Sequence, residues 1–109
     1  VADFLNRKYG EGTVKLTLKD QYYNMREMVE PHPQVIAKAE QAMRMAGVEP
    51  LVKPIRGGTD GSRLSYMGLP CPNLFTGGMN FHGKYEYASL DTMKKAMQTI
   101  INLAGLWAE

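Results

Sequence analysis

LVKPIRGGTDGSRLSYMGLPCPNLFTGGMNFHGKYE, residues 51–86, is the stretch from which the rest of the chain takes its order. Its first six residues read as a short strand, and Pro54, which has no amide to donate to a ladder, belongs at a sheet edge or at the strand's end. "SRLSYM", residues 62–67, reads as a short helix closed by Gly68, and "NLF", residues 73–75, as a short buried strand. Just beyond, Ser89 and Asp91 make a capped start for a long last helix. In it Leu90, Met93, Met97, Ile100, Ile101, Ala104 and Trp107 form an apolar stripe expected to pack in the core, while Lys94, Lys95, Gln98 and Asn102 are expected to face water. Strand, short helix, strand and covering helix is the order of a parallel layer, so the fold class expected is α/β. In such a layer the functional loops gather at the carboxyl ends of the strands.

Upstream the same rules apply. Phe4, Leu5 and Tyr9 share one helical face and Gly10 stands where it ends that helix. "TVKLTLKDQYY" alternates Val14, Leu16 and Leu18 with Lys15, Thr17 and Lys19, the period of two of a strand with one wet face. Between Pro33 and Ala46 the apolar residues Val35, Ile36, Ala39, Ala42, Met43 and Ala46 recur at helical spacing, with Pro33 suited to the first turn and Gly47 to the C-terminal cap.

Composition bounds the class. The chain has 109 residues, 44% of them hydrophobic and 22% charged, which is the size and balance of one globular domain with a real core. Thirteen Lys and Arg face eleven Asp and Glu for a net charge of +2, and the basic residues are scattered, so neither nucleic acid nor a membrane surface is an expected partner. No apolar run reaches the roughly 18 residues of a membrane span. A single cysteine, Cys71, makes no internal disulfide and reads as a small apolar side chain in "GLPCPNLF", which fits a reducing, cytoplasmic setting. Because the chain opens on Val1 and runs directly into a helix pattern, it is expected to start in the middle of a larger protein.

Two loops carry the candidate chemistry. "RGGTDGS", Arg56 to Ser62, joins a strand to a helix, so bare backbone can approach a ligand and Arg56 can clamp a carboxylate through two parallel hydrogen bonds. The glycines lack the spacing of a nucleotide-binding fingerprint, and a tight turn accounts for Gly57 and Gly58 equally well. "TGGMNFHGKYE", Thr76 to Glu86, lets the imidazole of His82 project from a flexible loop, as metal ligands and acid–base residues do. A lone histidine defines no metal site, which takes three or more protein ligands. His32, between two prolines, reads as a helix-entry residue.

At these loops a resemblance adds what spacing cannot. "KPIRGGTDGSRLSYMGLPCPNLFTGGMNFHGKYEYASLDTM", residues 53–93, resembles the C-terminal part of the two-zinc exopeptidase family, which holds tripeptide-cleaving aminopeptidases, dipeptidases, aminoacylases and succinyl-diaminopimelate desuccinylase. The likeness runs from "DQYYNMRE" to the last helix and is strongest with the tripeptide aminopeptidases. It implies that residues 1–22 end a ferredoxin-like lid, as its last helix and strand, and that residues 23–109 are the C-terminal segment of the catalytic domain. It also implies that His82 is a zinc ligand and that Arg56, Gly57, Gly58 and Thr59 line the cleft for a small peptide, with Asp60 and Arg63 bracing the loop. The family's other zinc ligands and its catalytic glutamate match nothing in this chain. The segment alone is therefore expected to hold no zinc and to be inactive, to need the missing N-terminal half of its protein, and to self-associate through uncovered apolar faces. Two alternatives stand beside this: a dipeptidase or deacylase of the same family, and a non-enzymatic α/β module that binds a small anion at its glycine-rich turn.

Overall fold

The computed structural model describes residues 1–55 and 57–108. Along the chain run α1 (Ala2–Tyr9), α2 (Arg26–Val29), α3 (Pro33–Met45), α4 (Asp60–Tyr66), β1 (Gly78–Met79), β2 (Tyr87–Ala88) and α5 (Leu90–Ala108). Helices and a small sheet together keep the chain in the α/β class. Among the described residues no helix is long and apolar enough to cross a membrane.

The helix boundaries follow from local chemistry. Pro33 opens α3, where its missing N–H would be unpaired in any case. After the C-cap Ala46, Gly47 turns to a φ of 68°; its N–H reaches Arg44 O at 3.0 Å and that of Val48 reaches Met43 O at 2.9 Å. This pair of bonds is the Schellman closure that glycine permits. Gly68 repeats it behind α4 at a φ of 97°, with Leu69 N bonded to Leu64 O at 3.0 Å. At the start of α5, Ser89 Oγ accepts the N–H of Thr92 at 3.4 Å, the expected cap.

Among the described residues, the one substantial packing contact between helices joins α3 and α5. Asn102 Nδ2 donates to Ala42 O at 3.2 Å and Lys95 Nζ to Gly47 O at 3.4 Å, so the helices run antiparallel. Lys38 reaches Leu106 O near the other end and lies 4.3 Å from the centre of the Trp107 ring. Small side chains let the backbones approach: Ala39, Ala42, Ala96 and Thr99 are buried, and the Thr99 hydroxyl is satisfied by Lys95 O at 2.9 Å.

Here the structure departs from expectation. The face of α5 turned to α3 carries Thr92, Ala96, Thr99, Leu103 and Leu106, whereas the stripe expected in the core is exposed, with Met97 at 57%, Ile100 at 58% and Trp107 at 51%. Asn102 and Lys95, expected to face water, bond to α3 and its cap. A helix apolar on two sides is built to be covered twice. Among the described residues only one covering element is present.

The expected parallel layer is corrected for the same reason. Residues 14–19, 51–55 and 73–75 run without strand pairing, and Leu16, Leu18, Leu51 and Val52 are exposed. A strand exists through its ladder, and these segments find no neighbour to complete one. Val14 is held instead by the side chain of Asn6 in α1, which accepts its N–H at 2.8 Å and donates to its carbonyl at 3.0 Å. The sheet that does form is antiparallel, pairing Gly78 with Ala88 and Met79 with Tyr87. The compact domain expected from composition is likewise not observed: the radius of gyration is 19.7 Å, where a compact chain of this length has about 13 Å.

Candidate functional site

The first loop is positioned by α4 and by chain on either side of it. Gly57 has a φ of 109°, a conformation side-chain-bearing residues rarely adopt. Gly58 is glycine for a different reason: a β-carbon there would stand 2.5 Å from the ring of Tyr22, which lies against the loop backbone. Thr59 takes the N-cap position of α4 in an extended conformation, and its hydroxyl accepts Asn73 Nδ2 at 3.3 Å. Tyr22, Gly58, Thr59, Asp60 and Arg63 line a surface cavity of about 210 Å³. Arg56 lies outside the described residues.

Among the described residues, the bonds that brace this loop come from other side chains than Asp60 and Arg63. Among the described residues neither side chain bonds to it, and both stand on the cavity wall. The buried serines of α4 do the holding. Ser62 Oγ donates to Tyr23 O at 2.5 Å; Ser65 Oγ donates to Gly61 O at 2.7 Å and accepts the N–H of Cys71 at 3.0 Å. Short hydroxyls tie the helix to the chain before and after it. Cys71, half-buried and free, contributes through its backbone. Tyr66, at the end of α4, donates to the Glu27 carboxylate and to Asn24 O, and the hydrogen bond to Glu27 pushes its pKa up from 10.0 to about 12.

His82 sits elsewhere, in the loop of the β1–β2 hairpin, so its strand ends are antiparallel rather than the parallel ends expected. It is exposed and is not among the residues lining the cavity. Its backbone is left-handed, with φ at 63°, and so is that of Asn80, at 55°. Four hydrogen bonds close the loop: Gly83 N to Asn80 O at 2.9 Å, Asn80 Nδ2 to Tyr85 O at 3.3 Å, His82 N to Glu86 Oε2 at 2.8 Å and Glu86 N to Gly83 O at 3.2 Å. A β-carbon on Gly83 would meet Asn80 O at 2.7 Å, so glycine is required directly after the histidine. The hairpin is anchored to α5, since Ser89 N donates to Gly77 O at 2.9 Å and a β-carbon on Gly77 would stand 2.9 Å from Met93 N. His32, by contrast, occupies the N-cap position of α3, as its prolines implied.

As a donor set, the described residues contain no group of three or more His, Cys, Asp or Glu able to hold a metal ion. His82 is thus not part of such a group among the described residues. Sequence reasoning passed over Tyr22 and Glu86. Nothing in an aromatic pair marks Tyr22 as a wall for Gly58, and only the separation of four residues from His82 could have drawn attention to Glu86.

Comparison with known proteins adds a family to this geometry. Residues 7–105 match the sequence profile of Peptidase family M20/M25/M40. Over 109 residues the chain is 61% identical to a protein named peptidase T from Clostridium perfringens strain SM101, and 59% identical to one of the same name from Caldanaerobacter subterraneus subsp. tengcongensis. Each alignment takes in all of this chain and 27% of the relative. A peptidase T from Bacillus velezensis is 58% identical over 108 residues, 99% of this chain and 26% of that protein. The chain thus spans about a quarter of the length of the curated relatives it matches.

Proposed function

The chain belongs to Peptidase family M20/M25/M40, and on that premise we propose that it is the C-terminal segment of a zinc-dependent aminopeptidase that releases the N-terminal residue of tripeptides. The observation that carries this is the identity of about 60% across the whole chain with proteins named peptidase T. Residues 1–22 end the lid and residues 23–109 belong to the catalytic domain. His82 supplies one metal ligand. Arg56, Gly57, Gly58 and Thr59 form one side of the peptide cleft.

Each of these residues has a distinct task. His82 presents its imidazole from a loop tied at four points, which limits how far a ligand nitrogen can wander. Gly57, with nothing within 4 Å of where a β-carbon would be, lets peptide backbone come close, while Gly58 makes room for the ring of Tyr22 against the cleft wall. Arg56 orients the substrate through its carboxylate or a polar end, and its planar fork suits that partner better than an ammonium would. When bound, zinc acts as a Lewis acid that polarises the scissile carbonyl and activates water for attack. The base that takes the proton from water has no counterpart among these residues, so the 109-residue segment alone is inactive and depends on the N-terminal part of its protein.

Two substitutions in a full-length protein carrying this segment test the assignment. His82→Ala should lower the metal content per chain and collapse kcat, whereas Arg56→Ala should leave the metal in place and raise KM, costing about 2–5 kcal/mol in kcat/KM. Arg56→Lys should recover little. Full metal content in His82→Ala would remove the ligand assignment, and an unchanged kcat/KM on tripeptides in Arg56→Ala would remove the cleft assignment.

A further inference from the structure

His82 holds a left-handed backbone, with φ at 63°, that residues bearing a β-carbon rarely adopt. Histidine is one of the side-chain-bearing residues that tolerate this conformation better than most, but it still costs energy relative to the usual helical and extended regions, which contacts to the loop offset. The contact made directly to the backbone of His82 is the carboxylate of Glu86, whose Oε2 accepts the His82 N–H at 2.8 Å. Glu86 precedes β2, and β2 is paired with β1, whose neighbour Gly77 is bonded to Ser89 at the start of α5. The carboxylate therefore links the peptide of the histidine to the residue that leads directly into the paired strands. Charge assists the bond, because an ionised oxygen accepts an amide proton more strongly than a neutral carbonyl does.

We propose that Glu86 is a positioning residue for His82: by clamping the backbone N–H in its left-handed conformation, it sets the direction in which the imidazole leaves the loop, and so the strength with which His82 holds its metal. This rests on the reading of His82 as a metal ligand. Glu86 is not itself a ligand in this account, since its bonded oxygen is turned to the peptide of residue 82. Partners of this kind, which orient a ligand without touching the ion, change metal affinity by about 10–100-fold when removed.

The test is metal affinity, measured by zinc competition against a chromophoric chelator in a full-length protein carrying this segment, for Glu86→Ala, Glu86→Gln, His82→Ala and His82→Ala with Glu86→Ala. Glu86→Ala should weaken zinc binding by about 10–100-fold while leaving the melting temperature of the metal-free protein unchanged. Glu86→Gln keeps an oxygen to accept the amide proton and should stay within about threefold of the parent protein, whereas loss of a true ligand would weaken it as much as alanine does. Against the background of His82→Ala, Glu86→Ala should cost nothing further. Unchanged affinity in Glu86→Ala, with His82→Ala still stripping metal, overturns this proposal alone; equal losses in the alanine and glutamine variants overturn it in favour of direct ligation. If His82→Ala itself leaves zinc affinity unchanged, the ligand reading fails and the clamp falls with it.

Discussion

Replacing Gly61 by alanine sets two effects against each other at a site where the structure decides the sign. Gly61 lies in the first turn of α4, and glycine to alanine in a helix gains at most about 1 kcal/mol. Yet a β-carbon on Gly61 would run into the carbonyl oxygen of Cys71 and stand 3.3 Å from Asn73 Oδ1. The obstruction is backbone, and it is tethered: Cys71 N bonds to Ser65 Oγ, which bonds back to Gly61 O. For residue 71 to withdraw, a hydrogen bond worth about 1 kcal/mol must lengthen or break, on top of an overpacking cost of about 1–3 kcal/mol. We therefore expect Gly61→Ala to destabilise α4 against its neighbour by about 1–3 kcal/mol, which lowers amide protection about 5–150-fold. Native-state hydrogen exchange at Ser65 to Cys71 reads this locally. Gly105→Ala in α5, where nothing lies within 4 Å of an added β-carbon, is the control, and it should match or exceed the parent in protection of its own helix. Equal or greater protection of residues 65–71 in Gly61→Ala would refute the close approach on which the orientation of the glycine-rich loop depends.

Two further outcomes are open to direct measurement. Tyr66 should ionise late, because its hydrogen bond to Glu27 favours the neutral phenol and raises its pKa from 10.0 to about 12. The stabilisation it provides is complete below pH 10, the ordinary value, and fades as pH climbs to 12. Glu27→Gln should bring the late phenolate step down, and a Tyr66 that already titrates near 10.0 in the parent chain counts against the bond. The isolated 109-residue chain should self-associate, because its accessible surface of 9006 Å² exceeds the roughly 6,000 Å² of a compact 12.2 kDa monomer by about 3,000 Å². That excess is on the scale of permanent interfaces. Light scattering that gives a monomer at every concentration, with one sharp unfolding transition, would contradict it.

What the amino-acid sequence determined by itself is what lies within a few residues of itself. Pro33 before an apolar periodicity, Gly47 and Gly68 after the last helical turns, and Ser89 ahead of Thr92 fix helix ends by bonds that close over three to five positions. Those ends appear where the sequence placed them. The two loops were legible on the same terms, as glycine-rich breaks between periodic segments. Pairing was not, because alternation in residues 14–19 states only that a strand would have one apolar face, and the ladder that makes it a strand belongs to a neighbour. The apolar residues of α5 carry the same ambiguity: they fit more than one face, and contact with Ala39 and Ala42 of α3 selected the small-residue side over the methionine side. Tertiary structure likewise decided that the ring of Tyr22 would stand against Gly58, and that a carboxylate four positions along would hold the peptide of His82 left-handed. Side chains that meet across a turn or between distant segments leave no period in the chain, and only the fold brings them within bonding distance.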